Sequence, residues 1–192
     1  HQAGKVVFVN NHYKRLDLLR QTDGIFDEFT YAGAPLNLTA LLTLRKPALG
    51  WTDNEAALKP DPDAFFQRYL HLGVYPMAPF PGNDHSLRPS AWVDQQYLDY
   101  GPLLDTMRGK KWVLEPHCVE SATPGVKVNL FQVPGGYALP VTFAGQSESA
   151  TVCLRNLPGL DRLRCEALHP GENKAAAVTA TLKNASLTLH VP

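Results

Sequence analysis

The sequence predicts an α/β part followed by an all-β part: the C-terminal half of a (β/α)8 TIM barrel over residues 1–115, then a small antiparallel β-sandwich over residues 116–192. Three observations carry this. Between residues 5 and 108, apolar runs of strand length alternate with stretches of helical periodicity four times, the pattern of parallel strands joined by crossover helices. After about residue 110 the helical period stops, and short β-type runs follow, separated by Pro, Gly and Asn turns. The first strand leads into Asn10-Asn11-His12, where a doubly wound nucleotide-binding fold would carry a Gly-rich phosphate loop. The chain reaches the apolar run Val6-Val7-Phe8-Val9 almost at once, so four further βα units are expected to precede it.

Each element has a local reason. Residues 5–10 are a continuous apolar run, fit for a strand buried on both faces. Residues 12–21 place Leu16, Leu18 and Leu19 among charged residues as a short helix. Residues 23–29 form the second strand, Asp-Gly-Ile-Phe-Asp-Glu-Phe. Over 35–45, Leu38, Leu41, Leu42 and Leu44 mark a helix with Pro35 in its first turn, and Lys46-Pro47 ends it. Residues 48–52 are the third strand. Residues 62–72 form a helix opened by Asp61-Pro62 and closed by Gly73, and 74–78 are the fourth strand, with Pro76 suited to a strand terminus. After a Pro/Gly/Asn loop at 79–90, Trp92 to Met107 form a last helix, with a break expected at Gly101-Pro102. Strands of the sandwich are expected at 127–133, 136–144, 149–155, 162–168, 175–182 and 185–191.

Composition narrows the function classes. Eighteen basic and eighteen acidic side chains cancel, which argues against an electrostatic nucleic-acid binder. No apolar run approaches the roughly 18–20 residues of a membrane span, so no membrane partner is expected. Cys118, Cys153 and Cys165 are odd in number and lack metal-ligand spacing, so they read as small buried hydrophobes and no metal site is expected. A Cys153–Cys165 disulfide is open only to an oxidising compartment. Asn37-Leu38-Thr39 and Asn184-Ala185-Ser186 match the glycosylation tripeptide, a pattern that also arises by chance.

The chemistry concentrates at strand ends. Asp27 and Glu28 close the second strand, as an α/β barrel presents a general acid or nucleophile at its rim. Adjacent strand residues point to opposite sides, so only one of the pair faces a cleft squarely: Asp27 shares a face with Ile25 and Asp23, and Glu28 with Phe26 and Gly24. Asn10, Asn11 and His12 follow the first strand, with amide groups suited to sugar hydroxyls or to capping the next helix. Trp51, at the end of the third strand, offers a broad face for a pyranose ring or for core packing. Tyr75, Asn83, Asp84 and His85 lie on or after the fourth strand, in a long loop where function concentrates, and Tyr31 follows the carboxylates.

The order of barrel then β-sandwich, with Asp23-Gly24-Ile25-Phe26-Asp27-Glu28-Phe29 on a late strand, resembles glycoside hydrolases of the α-galactosidase and α-glucosidase type. Leu72-Gly73-Val74-Tyr75-Pro76 with the later His85 is similar to a run near the last strand of some α-galactosidase relatives, and Phe131-Gln132-Val133-Pro134-Gly135-Gly136-Tyr137 resembles the lead-in to their C-terminal sandwich. The resemblance implies that Val74–Ala78 is strand eight and Ile25–Glu28 strand six, the general-acid position, with the strand-four nucleophile lying before His1. It implies hydrolysis of a glycosidic bond, a carbohydrate substrate, no cofactor, and the missing N-terminal half of the barrel as partner, in the same protein or a separate chain. Two other readings stay open: a non-catalytic carbohydrate-binding or structural module, and an open α/β enzyme acting on something other than sugars.

Overall fold

The computed structural model describes residues 3–10, 16–28, 34–52, 55–79, 90–143 and 149–192. The first part alternates β1 (Phe8–Asn10), α1 (Leu16–Gln21), β2 (Gly24–Asp27), α2 (Ala34–Leu42), β3 (Ala48–Gly50), α3 (Pro62–Leu72), β4 (Tyr75–Pro76) and α4 (Ala91–Asp105). The four strands pair in chain order, all parallel, into an open sheet with β1 and β4 at its edges.

One face of this sheet is fully packed. Leu36 and Ala40 of α2 and Tyr69 of α3 bury themselves with Ala48 and Val74. α3 starts at Asp61, whose carboxylate accepts the Ala64 N–H at 2.8 Å, and Pro62 fills a position that needs no donor. It ends at Gly73, where φ is +64°; the Gly73 N–H returns to the Leu70 carbonyl and the Val74 N–H to the Tyr69 carbonyl. α3 and α4 then share an aromatic seam, with Phe66 stacked on Tyr100 at a centroid distance of 4.3 Å and the Tyr100 hydroxyl donating to Asp63. The break expected at Gly101-Pro102 is absent: α4 runs through Pro102 to Asp105. The proline sits in the last turn, where only one helical hydrogen bond is lost, next to the exposed Leu98.

The second part holds β5 (Lys111–Trp112), β6 (Val119–Ser121), β7 (Lys127–Val128), β8 (Phe131–Val133), β9 (Gly136–Ala138), β10 (Val141–Thr142), β11 (Ala150–Arg155), β12 (Glu166–Ala167), β13 (Ala176–Ala177), β14 (Thr179–Lys183) and β15 (Ser186–Val191). Its main sheet is antiparallel, in the order β14-β15-β11-β6, and a three-stranded sheet runs β5-β8-β9. β11 alternates strictly: Ala150, Val152 and Leu154 are buried, while Thr151, Cys153 and Arg155 are not. Leu154, Leu187 and Leu189 meet Cys118, Leu130 and Leu160 in the core. Three expected strands are each split, among them 175–182, which divides at Val178 into β13 and β14. The run 127–133 breaks at Asn129, whose side-chain amide reaches the His71 carbonyl, and 136–144 breaks at Pro140, which has no N–H for a ladder. Each half then joins a different sheet. All three cysteines are free thiols.

Lys110 joins the two parts. It is only 3% exposed. Its ammonium lies 3.4 Å from the Thr43 carbonyl and 3.5 Å from that of Lys46, beyond the end of α2, and 5.8 Å from the Phe131 ring centroid. Beside it, the Trp112 backbone N–H donates to the Leu44 carbonyl at 2.9 Å. Burial lowers the Lys110 amine to about 8. The folded state therefore binds fewer protons than the unfolded state between pH 8 and the ordinary lysine value, and stability rises with pH across that window. Denaturant titrations from pH 7.5 to 10 are expected to show a rise on the order of 2 kcal/mol in the wild type that is absent from Lys110→Met.

The β14–β15 hairpin turns at Asn184-Ala185, both with positive φ, +50° and +57°. A two-residue turn of this kind suits Asn and Gly, whereas Ala carries a steric cost in that region. Ala185→Gly is expected to raise stability by about 0.5–1 kcal/mol, read as a shift in the urea midpoint at unchanged slope.

Candidate functional site

The register across the parallel sheet sorts its side chains. Asn10 pairs with Phe26, Phe26 with Leu49 and Leu49 with Tyr75, so these four share one face. Ile25, Ala48, Asp27 and Gly50 share the other, which is the side α2 and α3 cover. The covered residues Ile25, Asp27, Ala48 and Thr52 are 0–1% exposed. On the opposite face Phe26, Leu49, Trp51, Tyr75 and Met77 are half-buried, and Phe8 is 40% exposed. Among the described residues, this second face is a partly open aromatic surface.

The two neighbouring carboxylates divide between these faces. Asp27 is fully buried, and its Oδ2 accepts a hydrogen bond from the Thr39 hydroxyl on α2. Thr39 is itself 0% exposed, so the pair is a polar link inside the helix–sheet core. Glu28, one residue on, turns to the open face. Its Oε2 accepts from the Asn10 Nδ2 at 2.6 Å, tying the ends of β1 and β2 together. The first carboxylate of the run, Asp23, accepts the Val7 N–H at 2.7 Å and so serves the start of the strand pairing.

Trp51 stands just past β3, and continuing the register puts it level with Glu28. Its ring packs on Phe26 with centroids 5.9 Å apart and planes at 39°. Its backbone N–H donates to the Asp27 carbonyl at 2.9 Å. Asn10, Glu28, Trp51 and Phe26 thus form one cluster at the C-terminal ends of three adjacent strands: an amide, a carboxylate and two aromatic faces. Tyr75 belongs to the same face but not to this cluster. It lines a cavity at the foot of the sheet with Arg45 and Pro47, which precede β3. Burial, and then the charge of Asp105, hold its phenol above the usual tyrosine range. Asn11, His12, Tyr31, Asn83, Asp84 and His85 lie outside the described residues.

Thr39 was not among the residues the sequence singled out. The one signal available is a hydroxyl placed among the leucines of a helix that must cover a strand carrying an acid. Among the described residues, no group of three or more His, Cys, Asp or Glu side chains is placed to hold a metal ion. No described helix is long and apolar enough to cross a membrane. No family model, curated protein or solved structure matches the chain.

The division of labour between the two carboxylates is measurable. Thr39→Val removes a donor from a fully buried carboxylate and is expected to cost about 1–3 kcal/mol in urea denaturation. Glu28→Gln keeps the shape of a half-exposed side chain and is expected to stay within about 0.5 kcal/mol of wild type.

Proposed function

We propose that the protein takes part in glycosidic-bond hydrolysis, with Glu28 as the acid/base carboxylate and Trp51, Phe26 and Asn10 as its sugar-contacting neighbours. The observation that carries this reading is the separation of the two acids: Asp27 is committed to Thr39 inside the core, whereas Glu28 stands on the open aromatic face with an amide beside it. A protonated Glu28 would deliver its proton to the leaving oxygen of the glycosidic bond. A second carboxylate would act on the anomeric carbon or on a water, about 5–5.5 Å from the first in a retaining enzyme and about 6.5–9.5 Å in an inverting one. Trp51 and Phe26 present apolar faces on which a pyranose ring stacks, and the Asn10 amide both donates and accepts.

The second carboxylate is assigned to further βα units that continue the parallel sheet. Two features support that assignment: among the described residues the sheet is open at β1 and β4, and its aromatic face is only half covered. Parallel sheets are ordinarily covered on both faces. Four parallel strands in strict chain order are also what consecutive strands of a (β/α)8 barrel present.

The test is a screen of the intact protein against chromogenic glycosides. Hydrolysis is expected, and Glu28→Gln is expected to lower kcat by about 10²–10⁴-fold with the fold retained. Full activity in Glu28→Gln defeats the acid/base role. Sugar binding with no turnover in the wild type leaves a carbohydrate-binding module in its place.

A further inference from the structure

At the opposite end of the strands from Glu28, a cavity of about 390 Å³ is lined by Arg45, Pro47, Tyr75, Asp105, Arg108, Gly109 and Lys110. Its volume falls in the lower range of small-ligand sites, roughly 300–1,000 Å³. Three of these side chains are cations and one is an acid. Arg108 pairs with Asp105, which accounts for one positive charge. Among the described residues Arg45 has no carboxylate partner, and Lys110 reaches only two backbone carbonyls, at 3.4 and 3.5 Å, and an aromatic ring. The cavity therefore holds two positive charges that no acid offsets.

We propose that this cavity binds a phosphate dianion, free or carried on a small organic body, through Arg45, Lys110 and Arg108. The charge balance selects a dianion over a single carboxylate. An ammonium has three donors, and two of those on Lys110 are directed at carbonyls, which leaves one for a ligand oxygen. Guanidinium groups match phosphate oxygens in planar pairs. Tyr75 holds its proton more tightly than an ordinary tyrosine and so adds a neutral O–H donor. Keeping Lys110 charged at 3% exposure is costly, as its lowered proton affinity shows, and a bound dianion offsets that cost. Pro47 and Gly109 give the wall an apolar stretch where a small organic body can lie. The site rests on no assumption about glycoside chemistry.

Isothermal titration calorimetry of the intact protein with glycerol 3-phosphate and with inorganic phosphate, at ionic strength matched by chloride, tests this. One-site binding is expected, weakened about tenfold or more in Arg45→Gln, an exposed position where the melting temperature is expected to be unchanged. Arg45→Lys, which keeps the charge, is expected to recover part of the loss. Tighter binding of the ester identifies a phosphorylated small molecule as the ligand, and equal binding of the two identifies the free ion. No saturable heat at about 10 mM of either ligand, or equal affinity in wild type and Arg45→Gln, overturns the proposal.

Discussion

The side-chain alternation of β2 is the constraint on which the first part of the molecule depends. A strand shows its residues to opposite sides in turn, so once Ile25 enters the core beneath α2, Asp27 must enter it too, and Phe26 and Glu28 must face away. The cost of burying Asp27 is met by Thr39, a hydroxyl placed at the same depth on α2. That bond and the packing of the neighbouring Leu36 and Ala40 with Ala48 and Val74 hold α2 over the sheet in one and the same position. Glu28 owes its place on the open face to the same register. The core and the candidate site are two consequences of one pleat.

A second constraint joins the two parts of the chain. Gly73 ends α3 in the left-handed region, and a Cβ there would come within 2.8 Å of the Lys110 stem and the Phe131 ring. The close approach is what lets Lys110 lie flat between the end of α2 and the first strands of the second part. Trp112 and Asn129 add bonds to the Leu44 and His71 carbonyls on either side. Backbone groups left over at helix ends are thus satisfied by residues that follow α4, so the second part completes the ends of the first rather than hanging from a linker.

Much of this was legible as pattern and little of it as contact. The alternation of apolar runs with helical periods placed β1 to β4 and their helices, and the pairing of Asp27 with Ile25 and of Glu28 with Phe26 followed from counting by twos. Which of those two faces the helices would cover did not follow, because both carry apolar residues and the deciding contact is with a threonine twelve residues on. The sequence places Tyr75 on the fourth strand beside a long loop, and the packing of its long side chain along the foot of the sheet is not readable from that position. A Gly-Lys-Lys turn ordinarily marks a solvated surface, so the burial of Lys110 against Phe131 is not readable from the sequence. The splits at Asn129 and Pro140 show the same limit: apolar composition marks a strand, while a side-chain amide captured by a distant carbonyl decides where it bends.

The open face supplies the last step. Val6, Val7 and Phe8 are 73%, 42% and 40% exposed along the β1 edge, next to a face whose aromatic residues are only half covered. Such a surface on a parallel sheet is an aggregation hazard unless it is paired or covered, and on the proposed reading the groups that would cover it lie against Phe26, Trp51 and Glu28. On the proposed reading, the same contact that removes the apolar surface from water also encloses Glu28 and brings a second acid to it. Closure raises the local strength of electrostatic interactions, which is what a proton-donating carboxylate needs. Stability and chemistry would then draw on one interface, and a variant that weakens the cover would lose both together, whereas Glu28→Gln would lose only the second.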